Sequence, residues 1–244
     1  MYKRMAQAVV SMALLMSVMA GAAQASVQVI GTADIGGVGT GYNLIYDTGS
    51  VADGLPSFVW LDYTNTPGDW STQLSWAAGL NALGAVTYHL NPGINIDWGV
   101  NSWRLPSTVD GPVVYRGYDG TTIAGYNITS SELGHLYYTE LGNKGAVDTS
   151  GNALSGVGLV KTGSFNNLKG NYWYCSGTGY LTTGNNWAFQ PTNGEQMYFT
   201  PSFSWNAIAV RSGQFSVVPE PSTYLLLGIS LGVVGYVRRR MSAR

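Results

Sequence analysis

The sequence predicts an α+β domain with two main helices, twisted antiparallel strands and long loops, flanked by a helix at each end of the chain. Gly, Asn, Thr, Ser, Tyr and Trp are abundant while Lys and Glu are scarce, and this mixture favours strands and ordered loops. Apolar spacing and a capping motif mark the two helices, and aromatic, β-branched runs fill the last quarter of the chain. We expect three parts: 1–25, an ectodomain at 26–216, and 217–244.

The first 25 residues have the pattern of a secretory signal peptide. Lys3 and Arg4 precede an uncharged apolar stretch, and Ala23-Gln24-Ala25 forms an A-x-A cleavage site. The mature chain should therefore begin at Ser26, after handling by the secretion translocon and signal peptidase.

The first half of the ectodomain contains three predicted strands and one predicted helix. The strands cover Val27–Ile30, Asn43–Asp47 and Phe58–Tyr63. A helix should begin at Ser71 or Thr72 and end near Leu83, because Trp76, Leu80 and Leu83 then share one face.

The second predicted helix has a marked start and stop. Thr129 with Glu132 forms a capping box, and Gly142 follows the last apolar position. The segments on either side, 110–127 and 143–170, are rich in turn-forming residues and are predicted to be loops.

The last quarter is predicted to consist of strands separated by turns at Asn185–Asn186 and Asn193–Gly194. The predicted strands are Tyr172–Tyr174, Trp187–Gln190, Gln196–Phe199 and Trp205–Arg211.

The ectodomain is acidic and holds a single cysteine. Residues 26–218 contain six basic and twelve acidic side chains, a net charge of −6. This balance argues against nucleic acid and against anionic polymers as ligands, and leaves neutral saccharides or proteins open. Cys175 has no intrachain partner, so burial is favoured over pairing with another chain.

No residues are assigned to catalysis, to a cofactor or to a metal, and we do not expect an enzyme. The strongest polar group is His135 with Glu132 and Glu140. In an α-helix, His135 and Glu140 lie about 140° apart, so a polar helix surface is favoured over a metal or catalytic site.

The Asp/Asn-rich turns, such as 34–37 and 91–95, are read as plain turns rather than calcium sites. Arg104 is expected to be structural and to pair with a buried carboxylate such as Asp47 or Asp62.

Aromatic residues of the last quarter suggest a ligand surface. Flat rings suit the C–H faces of sugars, so four residues are predicted to form a saccharide platform: Trp173, Trp187, Tyr198 and Trp205. In a domain with few Leu and Ile, core packing is the alternative for most rings.

The C-terminal segment combines three features in a fixed order. Val218-Pro219-Glu220-Pro221 precedes an uncharged run of 14 residues (224–237), and Arg238, Arg239 and Arg240 follow. A helix of this run is about 21 Å long, shorter than a ~30 Å hydrocarbon core, which favours a transient inner-membrane anchor. This order resembles the PEP-CTERM sorting signal. The resemblance implies that an exosortase recognises Pro-Glu-Pro and removes the tail; an ordinary tail anchor is the alternative.

A second resemblance covers about residues 43–212. It rests on an ordered series of short motifs: Tyr46-Asp47, Trp60-Leu61, the helix of Trp76, Trp103-Arg104-Leu105-Pro106, Ser131-Glu132-Leu133, Tyr172-Trp173, Trp187-Ala188-Phe189 and Ala209-Val210-Arg211. The series resembles the C-terminal domain of bacterial collagen-like adhesins, a C-type-lectin-like fold related to the sulfatase-modifying family. That family's enzymes use cysteines and a metal, which the lone Cys175 cannot reproduce.

Together these features predict an exported protein, held briefly in the inner membrane and sorted to the cell surface or extracellular matrix. Its ectodomain would bind exopolysaccharide or biofilm matrix without catalysis. The alternative is a structural, self-associating surface protein without a saccharide ligand.

Overall fold

Ten strands dominate a computed structural model that describes residues 27–49 and 54–217. The strands are β1 (Gln28–Ile35), β2 (Gly39–Asp47), β3 (Phe58–Gly68), β4 (Val86–Leu90), β5 (Ile94–Asp97), β6 (Tyr174–Tyr180), β7 (Asn185–Gln190), β8 (Glu195–Phe199), β9 (Trp205–Ser212) and β10 (Gln214–Val217). The helical segments are α1 (Trp70–Gly79), α2 (Glu132–Gly134) and the π-helix π1 (His135–Glu140), which continues α2.

Eight strands form one mixed sheet. Their order is β4-β1-β2-β3-β9-β6-β7-β8, and β10 pairs with β5 in a separate two-stranded sheet. All neighbouring strands are antiparallel except β6 and β9, which run parallel and meet at Tyr174 and Asn206. The late strand β9 therefore lies in the middle of the sheet, between β3 and β6.

The predicted α+β, C-type-lectin-like fold is wrong. The described residues contain a large sheet and only two short helical regions, instead of two main helices. The second predicted helix is much shorter as an α-helix than expected. Its N-cap is Ser131 rather than Thr129, and the Ser131 hydroxyl accepts a hydrogen bond from the Gly134 N–H. Strands β4 and β5 were not predicted, because the Asn-Pro-Gly segment between them was read as part of one long loop; β4 itself, Val-Thr-Tyr-His-Leu, has a detectable β-branched and aromatic run.

Helix α1 begins and ends earlier than predicted. The carboxylate of Asp69 caps it by accepting the Thr72 N–H at 2.7 Å, as expected for an N-cap aspartate. Its buried side is formed by Gln73, Ala77 and Leu80, whereas Leu83 lies beyond the helix and is exposed.

The central strands are buried on both faces. On one face, Ile45, Trp60 and Ile208 pack under α2 and π1. On the other, Leu44 and Leu61 pack with residues that include Leu80 and Trp103. Double burial explains why β2, β3 and β9 have continuous apolar runs instead of alternation. It also places Asp47, two residues after Ile45, on the face that π1 covers.

Other predictions fare unevenly. The loops at 110–127 and 143–170 hold no helix and no strand, and Cys175 is buried, as predicted. Residues Asn185–Asn186 belong to β7 rather than to a turn. In residues 27–49 and 54–217, no helix is long and apolar enough to cross a membrane.

The terminal predictions lie outside the described residues. These are the signal helix with its cleavage site at Ala23, Ala25 and Ser26, and the tail from Val218 to Arg240 with its membrane helix.

Candidate functional site

Four aromatic rings meet where β6 begins, β8 ends and β9 begins. Trp173 precedes β6, Phe199 ends β8, and Phe203 lies in the turn that leads to Trp205 at the start of β9. Ring centroids of Trp173 and Phe199 are 4.6 Å apart, those of Trp173 and Trp205 are 6.0 Å apart, and Phe203 stacks on Trp205 at 5.3 Å. We refer to Trp173, Phe199, Phe203 and Trp205 as the aromatic end cluster.

The aromatic end cluster is partly open to solvent. Phe203 is 48% exposed, and the other three rings are half-buried. The hydroxyls of Thr200 and Ser202 lie 3.4 Å apart in the same exposed turn. The Trp205 Nε1–H is buried without a hydrogen-bond partner among the described residues. The cluster thus offers apolar ring surface beside hydroxyl groups.

The other two residues of the predicted platform lie in a different cluster. Trp187 is fully buried, so it does not line a surface, and Tyr198 stacks on Tyr180 with centroids 3.8 Å apart. The indole N–H of Trp187 donates to Asp110 at 2.9 Å. This bond is the main cause of the lowered pKa of Asp110.

Glu132 is buried and pairs with Arg104, whose side chain is 39% exposed. The guanidinium of Arg104 donates to both carboxylate oxygens of Glu132, at 2.7 and 2.6 Å, and the Ser107 N–H donates a third bond at 2.8 Å. The predicted capping role of Glu132 is therefore wrong, and Arg104 pairs with Glu132 rather than with Asp47 or Asp62.

Three ionisable side chains form a second buried group, which we call the buried triad: Asp47, His135 and Glu140. The His135 Nε2 lies 3.1 Å from Glu140 Oε1 and 3.7 Å from Asp47 Oδ1, and all three side chains have no exposed area. Each residue offers one atom that could bind a metal ion, and these three atoms lie within 4.8 Å of one another. The polar helix surface that the sequence predicted at His135 is therefore wrong.

The π-helix explains how the triad forms. The Leu141 N–H donates to the Leu136 carbonyl, a bond across five residues. In a π-helix the backbone hydrogen bonds span five residues instead of four, so each turn holds more residues. His135 and Glu140, five residues apart, therefore lie on the same side of the helix. Gly134 starts this turn where the Ile128 carbonyl leaves no room for a Cβ.

The two carboxylates of the triad differ in their hydrogen bonds. Asp47 accepts the Gly49 N–H at 2.8 Å on Oδ1 and the Trp60 indole N–H at 3.0 Å on Oδ2. Neither oxygen of Glu140 has a hydrogen-bond partner in the described part of the chain, since the contact with His135 lacks hydrogen-bond geometry. A buried carboxylate in this position is a candidate metal ligand.

Comparison with known proteins identifies one segment. Residues 217–240 match the PEP-CTERM protein-sorting motif, and this range contains Pro219, Glu220, Pro221 and the three arginines 238–240. The sequence therefore carries the signal of an exported protein, and more specifically of one that an exosortase processes and sorts to the surface. No curated protein and no solved structure matches the chain, so the resemblance to collagen-like adhesins finds no support.

Sequence reasoning missed Phe199 and Phe203 in the aromatic end cluster, and Asp47 in the triad. The aromatic residues were detectable, because both lie within six residues of Trp205. Asp47 was not, because its proximity to His135 depends on the pairing of distant elements.

Proposed function

We propose that the ectodomain is a non-catalytic binding module for a neutral exopolysaccharide of the cell surface or biofilm matrix. The aromatic end cluster is the observation that carries this proposal. Its partly exposed rings provide the stacking faces, and Thr200 and Ser202 provide hydroxyls for hydrogen bonds to a sugar.

The charge of the ectodomain supports a neutral ligand. Residues 26–218 have a net charge of −6, which repels polymers bearing uronate or sulfate groups. No Lys or Arg belongs to the aromatic end cluster. Stacking and hydroxyl contacts, rather than ion pairs, would therefore supply the affinity.

A binding role also agrees with the burial of the ionisable groups. The side chains of Asp47, His135 and Glu140 have no exposed area, so a polysaccharide at the surface does not reach them. Such a group serves the fold rather than a reaction on a polymer.

The sorting motif supports a delivery route. In this proposal the tail from 217 to 244 holds the chain in the inner membrane until exosortase acts, and the ectodomain then reaches the surface or matrix. Intact mass of the native protein, beside a variant with Pro219, Glu220 and Pro221 changed to Ala, tests the route. The native protein should lack the tail, and the variant should remain in the inner-membrane fraction. A native protein that retains its tail would contradict this route.

Binding is tested on the protein purified from its own host. We expect Phe203→Ala to weaken binding to the host exopolysaccharide or to neutral oligosaccharides on an array, by roughly tenfold for the loss of one stacking ring. Tyr115→Ala is the matched control, because Tyr115 is 56% exposed and lies outside the cluster.

Equal binding by the Phe203 and Tyr115 variants would reject the aromatic end cluster as the site. Oligomers that form with rising concentration, without glycan binding in any assay, would instead favour a structural, self-associating surface protein.

A further inference from the structure

We propose that the buried triad is a structural binding site for a divalent metal ion, with Zn²⁺ as the best match. The ligands would be one imidazole nitrogen from His135 and one carboxylate oxygen each from Asp47 and Glu140. The ion would join the end of β2 to π1.

The distances between the ligand atoms are compatible with one ion shared by the three residues. Two ligand atoms that each lie ~2.1 Å from Zn²⁺ are at most about 4.2 Å apart. The separations of His135 Nε2 from Glu140 Oε1 and from Asp47 Oδ1 are 3.1 and 3.7 Å. The ligand atoms of all three residues lie within 4.8 Å of one another, so small side-chain adjustments would bring them around one ion.

Glu140 provides the independent sign of a missing partner. Its side chain is fully buried, and neither oxygen has a hydrogen-bond partner among the described residues. A buried carboxylate without compensation is costly. A cation between Glu140 and Asp47 offsets the charge of both.

Asp47 is held in place for this role. Its two hydrogen bonds, from the Gly49 N–H and the Trp60 indole, fix the carboxylate without using all of its lone pairs. Groups that hydrogen-bond to a metal ligand in this way orient it and improve metal affinity.

The chemistry of the three ligands favours zinc. An imidazole nitrogen suits Zn²⁺ and other first-row transition ions, whereas Ca²⁺ prefers six to eight oxygens and Mg²⁺ keeps several waters. Three protein ligands drawn from His and carboxylates are a known zinc set when a water molecule fills the fourth position. Because the triad is closed to solvent, the ion would stabilise the fold rather than activate a substrate.

The test uses the exported protein, unfolded and refolded with Zn²⁺ or with a chelator. We expect about one zinc per chain after dialysis, measured by elemental mass spectrometry. We also expect a Tm about 5–10 °C higher with Zn²⁺ at ~100 times its Kd than with chelator.

Two variants locate the site. Glu140→Gln keeps the shape of the side chain and should lose the zinc and the Zn²⁺-dependent rise in Tm. His89→Gln is the matched control, since His89 pairs with Asp34 at 2.9 Å on the surface, and should retain both.

Wild-type protein that refolds without zinc, with the same Tm in Zn²⁺ and chelator, would overturn the proposal. Retention of zinc by Glu140→Gln would also overturn it. If this variant does not fold, the wild-type comparison still decides. Binding of Ca²⁺ or Mg²⁺ in preference to Zn²⁺ would reject the assignment to zinc.

Discussion

Glu132 and Glu140 lie eight residues apart in one helical region, and both side chains are buried, yet their surroundings are opposite. Glu132 receives two hydrogen bonds from Arg104 and one from a backbone N–H. Glu140 receives none from the described residues and has His135 and Asp47 beside it. Glu132 therefore has its positively charged partner, Arg104, within the chain itself. Beside Glu140 the chain places two further metal-binding side chains, His135 and Asp47, which is why we infer an ion there.

The largest expected effect comes from removing the partner of Glu132. Arg104→Met leaves Glu132 buried without its cation and should lower the free energy of unfolding by about 3 kcal/mol, the low end for a buried pair, because Arg104 itself is 39% exposed. Urea denaturation measures it. Arg116→Met is the control, because Arg116 is more exposed than Arg104 and makes one contact with Glu195. No measurable loss in Arg104→Met would mean that Glu132 does not depend on Arg104.

The comparison sharpens when each glutamate is replaced by glutamine in the presence of chelator. Glu132→Gln weakens charged hydrogen bonds to Arg104 and should cost about 2 kcal/mol. Glu140→Gln removes a charge that no hydrogen bond supports, so the free energy of unfolding should change by less than about 1 kcal/mol or rise. A larger loss for Glu140→Gln than for Glu132→Gln would indicate that the contact of Glu140 with His135 stabilises the metal-free protein.

Asp62 is intermediate between Glu132 and Glu140, because it accepts hydrogen bonds but has no cationic partner among the described residues. Its pH-dependent contribution to stability should be the smallest of the predicted effects. Its carboxylate accepts the backbone N–H groups of Asn166 and Asn167. Burial outweighs these bonds and raises the pKa of Asp62 above its ordinary 3.8.

The sign of the pH effect follows from this raised pKa. Between 3.8 and the raised value, the folded state binds more protons than the unfolded state, so this group adds stability as the pH falls and loses it as the pH rises. Wild type should therefore gain stability relative to Asp62→Asn when urea denaturation is repeated from pH 7 down to pH 4. A relative loss toward low pH would contradict the raised pKa.

Local signals predicted much of the sheet and little of the site. Strands β2, β3, β7, β8 and β9 were found from their aromatic and β-branched runs, because those runs reflect burial directly. The second helix was overpredicted, since the stripe of Leu133, Leu136 and Leu141 fits a longer α-helix as well as it fits a π-helix. That difference moves Glu140 from one side of the helix to the other. A pattern built on 3.6 residues per turn could not place it beside His135.

The aromatic end cluster was half predicted for a similar reason. Trp173 and Trp205 were named from composition, and the parallel contact of β6 with β9 brings them together. Trp187 lies on β7, where Tyr180 and Tyr198 enclose it. Which ring faces solvent depends on strand order, and strand order is set by contacts between residues far apart in the chain.

The pairing of β10 with β5 leaves almost no tether between the folded domain and the sorting signal. Val217 is the last residue of β10 and also the first of the matched motif, and Pro219 follows two positions later. Two residues span at most about 7 Å. An enzyme that binds Pro-Glu-Pro would therefore either contact the folded domain or separate the four-residue strand β10 from β5. The strength of this short pairing would then influence how readily the sorting motif is reached.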